Sequence, residues 1–433
     1  LDLLISTVFV AVLKQYDRNV VKHKHFMTHF SLARHALLMG YLFACLALAA
    51  CSTPPGIAQP TPNASVAAQA TVAPNASTAP TNTPAPPTAT PTAPPTATPA
   101  FARADELPPL TLDTIFDGRN LDQLQLDPQR IRTVVATGDI IPAGNADNTM
   151  RTLGNYVYPM EATKELLNNA DLTVINLEAP IIEDCPPYYV EFVFCGRPPF
   201  MEALQVAGVD VATLENNHIS NYGPEGVNET IRRLEDAQIA WADRSTAAIT
   251  DIRGLRFGFL AFDAVTAPID REQMKQQIAQ LRPNVDVLLV AAHWGEEYVT
   301  LPEPAPSTLQ DPLEIAHEMI DAGADMIIGN HPHWIQGVEV YKGKLITYAH
   351  GNFIFGQMWS YETRLGLIGR YTFYDDVLLD VEFTPTLIEN AAQPVPLPAE
   401  EAQAVVRDMR DASARWARIV AGDEPRPYGQ RAP

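Results

Sequence analysis

The chain has 433 residues, 51 acidic against 30 basic side chains and a formal net charge of −21 at neutral pH. A surface this acidic argues against nucleic acid or anionic lipid as a general partner, and it requires that any anionic substrate be held locally, by a metal or a few arginines. Four cysteines and ten histidines are too few for a framework of thiolate metal sites.

In chain order, the first feature is "ALLMGYLFACLALAAC" (36–51), a short apolar run behind a weakly basic stretch containing Arg34. It is shorter than the roughly 20 residues a membrane-spanning helix needs and has the architecture of a signal peptide over 1–50, with Met27 as a natural start. Its ending, Leu48-Ala49-Ala50-Cys51, resembles the bacterial lipobox. That resemblance implies that Cys51 carries lipid and anchors the protein on the extracytoplasmic face of a bacterial cell membrane. From Ser52 to Ala102 no residue is charged and Pro, Thr, Ala, Ser and Asn dominate. Such a segment buries too little apolar surface to offset its conformational entropy, so 51–106 reads as a linker extending roughly 3 Å per residue. One sizeable domain is then expected over 107–395, followed by a C-terminal helix and tail over 396–433.

Within the domain, short β-branched runs alternate with helical patterns. "TVVATGD" ends at Asp139, "LTVINLE" at Glu178, "VDVATLENNH" at Asn217 and His218, "VDVLLVAAH" at His293, and "DMIIGNHPH" at His331 and His333. Continuous apolar runs of this length suit strands buried on both faces. Helices are predicted over 159–170, 199–208, 223–238 and 311–323. The last has Asp311 as N-cap, Pro312 at its first position, Glu314 completing a capping box and Gly323 as terminator. Alternation of this kind predicts an α/β layered fold with largely parallel strands. Ligands in such folds bind beyond the carboxyl ends of the strands, where these five runs deliver carboxylates, an amide and imidazoles. Pro332 excludes a helix interior, so His331 and His333 are expected in extended or turning backbone with side chains pointing the same way. Oxygen and imidazole ligands without thiolate suit Mn, Fe or Zn, and their number suits two divalent ions sharing a carboxylate.

"CPPYYVEFVFC" places Cys185 and Cys195 close together, which in an exported protein reads as a disulfide, with metal ligation as the alternative. Beyond residue 337, "GVEVYKGKLITY", "GLIGRYTF" and "VLLDVEFTP" predict antiparallel strands with a turn at Lys342-Gly343. They are expected to form the second sheet of a four-layer αββα sandwich. The stretch 399–420 predicts an amphipathic helix without chemistry. His317, Trp294, Trp334 and Tyr348 read as structural.

"GDI" (138–140), "NLEAPI" (176–181), "AGVDVATLENNHISNYGPEGVNETI" (207–231), "HWGEEY" (293–298), "DAGADMIIGNHPHWIQGVEVYKGKLITY" (321–348) and "GNFIFGQ" (351–357) together resemble the CapA family, the capsule proteins linked to poly-γ-glutamate synthesis. That family is similar to the calcineurin-type metallophosphoesterases. The resemblance implies Asp139 and Glu178 as metal ligands with Glu178 the bridge, Asn217, His293 and His331 around one ion, and His333 on the other. His218, beside Asn217, would be the general acid, and Arg197 is the candidate for gripping a substrate carboxylate or phosphate. Three positions depart from the pattern: Ile141 replaces the histidine of Asp-x-His, His350 the usual Leu before "GNF", and Gly356 the usual Asp. Two functions follow as expectations. One is a lipid-anchored, metal-dependent hydrolase acting on an anionic polymer or a small phosphoester or amide, alongside membrane capsule-synthesis subunits. The other is a non-catalytic component that guides or anchors polymer, with the metal site serving binding or structure.

Overall fold

The β-branched runs fold as strands, and their period-two alternation sends neighbouring residues into different cores. A computed structural model describes residues 101–187 and 192–427. The leader, Cys51 and the Pro-rich segment up to residue 100 lie outside the described residues. Among the described residues, fourteen strands fall into two sheets. The strands are β1 (Ile131–Ile140), β2 (Leu172–Leu177), β3 (Val211–Thr213), β4 (Ala240–Ala242), β5 (Ala248–Ile252), β6 (Leu255–Asp263) and β7 (Val287–His293). They continue as β8 (Met326–Asn330), β9 (Val338–Tyr341), β10 (Lys344–Thr347), β11 (Asn352–Ile354), β12 (Leu365–Tyr374), β13 (Val377–Glu389) and β14 (Gln393–Pro396). One sheet runs β14-β13-β12-β1-β2-β3-β4 with β11 beside β1, and the other runs β5-β6-β7-β8-β10-β9.

In β1, Val134 and Ala136 face Phe257, Leu289 and Ile328 of the opposite sheet. Val135 faces outward instead, to helices Asn145–Leu153, Phe200–Val206 and Gly223–Asp236. In β7, Leu289 points between the sheets while Leu288 and Val290 pack under helices Arg271–Leu281 and Pro312–Ala322. The result is the expected four-layer sandwich, helix-sheet-sheet-helix. Among the described residues no helix is long and apolar enough to cross a membrane.

The composition of the second sheet differs from expectation. The chain beyond residue 337 does not build it; β12–β14 extend the first sheet from β1 as an antiparallel meander, and only β9 and β10 join the second. The second sheet is instead made by β5–β8, so the five site-bearing runs are shared between two facing sheets. The β9–β10 hairpin turns at Lys342 (φ 51°) and Gly343 (φ 76°), as the Lys-Gly pair predicts. The helix predicted over 159–170 is broken into a 3-10 turn, Tyr158–Met160, and a short helix, Lys164–Asn168, because Thr163 leaves helical geometry at φ −122°. In the helix Pro312–Ala322, Asp311 caps the Leu313 N–H and Gly323 ends it, but no capping box forms. Glu314 accepts from Arg271 instead.

The C-terminal helix Ala399–Ala421 closes the edge of the sandwich along β9 and β13. Trp416 is fully buried and donates to Glu339, which also accepts from Tyr348. Tyr348 in turn accepts, through its carbonyl, from Trp294, the neighbour of His293. Trp416→Ala is therefore expected to destabilise the fold by about 3–5 kcal/mol through lost aromatic packing. A denaturant midpoint unchanged from the parent chain contradicts this account of the helix.

Candidate metal centre

Gly138 precedes Asp139 because the segment at Gly351 crosses so closely that a Cβ on Gly138 would sit 2.1 Å from the Gly351 carbonyl oxygen. That approach lets the Asp139 N–H donate to Gly351 at 2.9 Å and brings Asn352 of β11 alongside. Asp139 ends β1 fully buried. Asn176, two residues before Glu178 on β2 and on the same face, donates to Asp139 Oδ1 at 2.8 Å and to Glu178 Oε2 at 3.2 Å. One amide thus orients both carboxylates. Asn216 holds that amide by donating to the Asn176 Oδ1 at 3.1 Å.

The second sheet supplies the imidazoles. The His331 N–H donates to Asp139 Oδ2 at 3.3 Å, and His333 Nδ1 lies 3.0 Å from the same oxygen and 2.9 Å from Asn352 Oδ1. Its Nε2 is thereby left facing Glu178 Oε1 at 3.9 Å. His293 Nε2 lies 2.9 Å from Asn217 Oδ1 and 3.4 Å from Glu178 Oε1. The His331 ring centroid is 4.8 Å from that of His293 and 5.6 Å from that of His333. Convergence of the two Pro-flanked histidines comes from turning backbone, one of the two settings the sequence allowed. His331 has φ 96° and His333 φ 56°, geometry that costs about 1–3 kcal/mol per non-glycine residue and clusters at functional sites.

Among the described residues, three sets of ligand atoms each fall within 4.8 Å of one another: Glu178, His293 and His331; Asp139, Glu178 and His333; and Glu297, His331 and His333. These residues fit a cation on a further observation. Eight buried side-chain polar atoms lack a partner among the described residues, and three of them are Glu178 Oε1, His293 Nδ1 and His331 Nδ1. Buried polar atoms are otherwise nearly always satisfied, so their concentration here marks a place for a charged ligand. The donors are carboxylate oxygen and imidazole nitrogen. The only described cysteines, Cys185 and Cys195, are joined to each other, which removes metal ligation as their role.

Electrostatics agree. Burial pushes Asp139 up, but the hydrogen bond and charge of His333, with His293, hold it below the ordinary carboxylate range. Glu178 is raised well above that range by burial and by Asp139. His333, despite burial, is pushed up to about 9 by Glu178 and Asp139. Burial lowers His293 and His331, the latter also through the neighbouring imidazoles. The buried pair Asp139 and Glu178 thus favours positive charge beside it, whether carried by protons or by a cation.

His218 lies five residues beyond β3, on a loop rather than at the strand end. Its Nδ1 is 3.1 Å from Asn221 Oδ1, which also accepts from the Phe194 N–H. Burial lowers it to about 4, against the Asn221 hydrogen bond. Arg197 does not reach freely toward solvent: its Nε donates to the buried Asp147, which also holds Arg151. His350 supplies no ligand, because its Nε2 lies 2.6 Å from the Tyr371 hydroxyl and its Nδ1 3.3 Å from the Gly329 carbonyl. Ile141, where an imidazole was missing, is packed with Phe194 and Phe355. Sequence reasoning passed over Asn176, Glu297, Asn352 and Asn221. Asn176 was signalled by its place two residues before Glu178 on a strand, and Glu297 by its place in "HWGEEY".

The model of the family described as "Bacterial capsule synthesis protein PGA_cap" matches residues 133–357, more than half of the chain and every residue of the cluster. The chain belongs to that family. This PGA_cap protein is 28% identical over 293 residues to "Capsule biosynthesis protein CapA" of Bacillus anthracis, covering 61% of this chain and 69% of the relative. It is 27% identical over 239 residues to "PGA biosynthesis protein CapA" of Bacillus subtilis, covering 50% and 61%. Among solved structures, a hypothetical protein from Thermus thermophilus aligns with a TM-score of 0.40 at 12% identity, over 59% of this chain and 100% of that one.

Because metal must displace protons from Glu178 and His333, binding is expected to release protons and to strengthen as pH rises from about 6 to 8. Calorimetric titration with Mn²⁺ or Zn²⁺ in buffers of different ionisation enthalpy reads this directly. Proton uptake, or affinity independent of pH, contradicts the assignment.

Proposed function

We propose that this PGA_cap protein is a lipid-anchored, extracytoplasmic, metal-dependent hydrolase acting in capsule or poly-γ-glutamate biosynthesis. The observation that carries this is the convergence of buried carboxylates and imidazoles into three ligand sets, with side-chain atoms of Glu178, His293 and His331 left without a hydrogen bond. Two ions, Mn, Fe or Zn, are proposed: Glu178, common to two of the three sets, would serve both, Asn217, His293 and His331 would hold one, and Asp139 and His333 the other. Glu297 offers the carboxylate that offsets the apolar Ile141. Bound there, divalent ions would polarise a phosphoester or amide and supply a nucleophile from water.

The chain's own groups set the rest. Asn176 fixes the two carboxylates so that Asp139 Oδ2 and Glu178 Oε1 face the centre. Asn352 Oδ1 and Asp139 Oδ2 accept from the N–H at His333 Nδ1, which fixes its tautomer and would leave Nε2 as the ligand atom. Asn221 likewise holds His218 by Nδ1, so Nε2 is the atom that would pass a proton to the leaving group; burial keeps this imidazole neutral near pH 7, and the proton it passes would first be taken from the attacking water. Extracytoplasmic placement is supported by the lipobox-like ending at Cys51 and by the Cys185–Cys195 disulfide, a bond typical of oxidising compartments. The substrate class and the membrane capsule-synthesis partners rest on the names of the relatives. A second reading, a non-catalytic assembly component, is favoured by one observation, the apolar Ile141 at the first-strand position.

Two variants separate the readings. His218→Ala is expected to keep its metal and lose about 10²–10⁴ in kcat toward phosphodiesters or poly-γ-glutamate. Glu178→Gln is expected to lose metal and activity together. Parent protein that holds metal yet turns over no substrate supports the assembly component instead.

A further inference from the structure

A groove of about 380 Å³ opens beside the cluster, between the loop at Phe192–Phe194 and the loop at Phe355–Trp359. Its floor touches the candidate site on two sides. The Phe194 ring lies 4.7 Å from that of His218 and 5.5 Å from that of Phe355, and Phe355 lies 5.3 Å from His333. Its rim is unusually apolar for a surface: Phe192 is 58%, Trp359 63% and Met358 38% exposed. Contiguous exposed apolar groups of this size mark binding surfaces.

None of the described residues lining the groove is charged. Its two polar side chains are already engaged, Asn145 donating to the Gly356 carbonyl and Gln357 donating to the Tyr298 hydroxyl. Bulk charge points the same way, since a chain of net charge −21 repels a long polyanion wherever no cation holds it. A sugar would need more hydrogen-bond partners than two amides, each already bonded within the protein, and the Trp359 indole N–H supply. We propose that the groove binds an uncharged hydrocarbon group of the substrate, carried next to the bond that the metal centre acts on. The proposal rests on the metal-centre reading for its orientation, not for the binding itself.

Alkylphosphonates provide the probe, titrated calorimetrically into the full chain with its metal content measured on the same samples. Octylphosphonate is expected to bind about tenfold or more tighter than methylphosphonate, with octanol competing. Trp359→Ala should remove most of that difference and leave methylphosphonate unchanged. Trp359 is largely exposed, so the variant tests contact rather than folding. Protein that holds no metal yet binds octanol in a Trp359-dependent manner sustains the groove and removes the metal reading. Metal-loaded protein with equal affinity for the two phosphonates overturns the groove and leaves the metal reading standing. So does tetra-γ-glutamate binding that Trp359→Ala weakens while octylphosphonate binding is unaffected.

Discussion

Asp139, at the end of β1, is the buried carboxylate on which the arrangement turns: it accepts from Asn176 of its own sheet and from His331 and His333 of the opposite one. Taking a charge out of water costs several kcal/mol, offset only by close, well-directed partners. Those partners come from segments 37, 192 and 194 residues away in the chain. The same contact therefore pins the carboxyl ends of two sheets together and gathers the ligand set. Glu178 is forced into the same low-dielectric space, and two adjacent carboxylates cannot both ionise there without compensating positive charge. A divalent cation held by this cluster would provide it, as would protons on the same groups.

Around this centre the fold supplies rigidity rather than chemistry. Asn216, Asn352 and Asn221 each satisfy a backbone or amide group while fixing a functional side chain. Behind β8, Tyr371 occupies His350, and the Trp294–Tyr348–Glu339–Trp416 chain ties the backbone beside His293 to the C-terminal helix. Toward solvent, Ile141, Phe194 and Phe355 make an apolar shoulder against the imidazoles. Arg197, the candidate for gripping substrate, is paired with Asp147, a carboxylate it shares with Arg151.

Much of this was legible in the sequence, for a physical reason. β1, β2, β7 and β8 are buried on both faces, so their apolar runs announce both the strands and the polar residues that end them. Sheet membership was not legible, because period-two alternation says that a residue is buried without saying between which layers. Hence β12 and β13 were assigned to the wrong sheet while the four-layer architecture was right. The strained backbone at His331 and His333 was hidden for a related reason: nothing local favours positive φ at histidine, and only the tertiary contacts to Asp139 and Asn352 hold it. Asn352 was missed because its role depends on proximity across the interface between sheets, and Glu297 because it lies in the loop after β7 rather than at a strand end. Cys185 and Cys195 pair as their spacing suggested.

The central claim is that residues from both sheets jointly hold a divalent cation. Crystals of the full chain grown with Mn²⁺, measured on either side of the manganese absorption edge, test it most directly. The account predicts an anomalous peak in ligand contact with Glu178 and with at least one of His293, His331 and His333. A map with no peak at that position, from protein in which Asp139, Glu178 and the three histidines are well ordered, would contradict it.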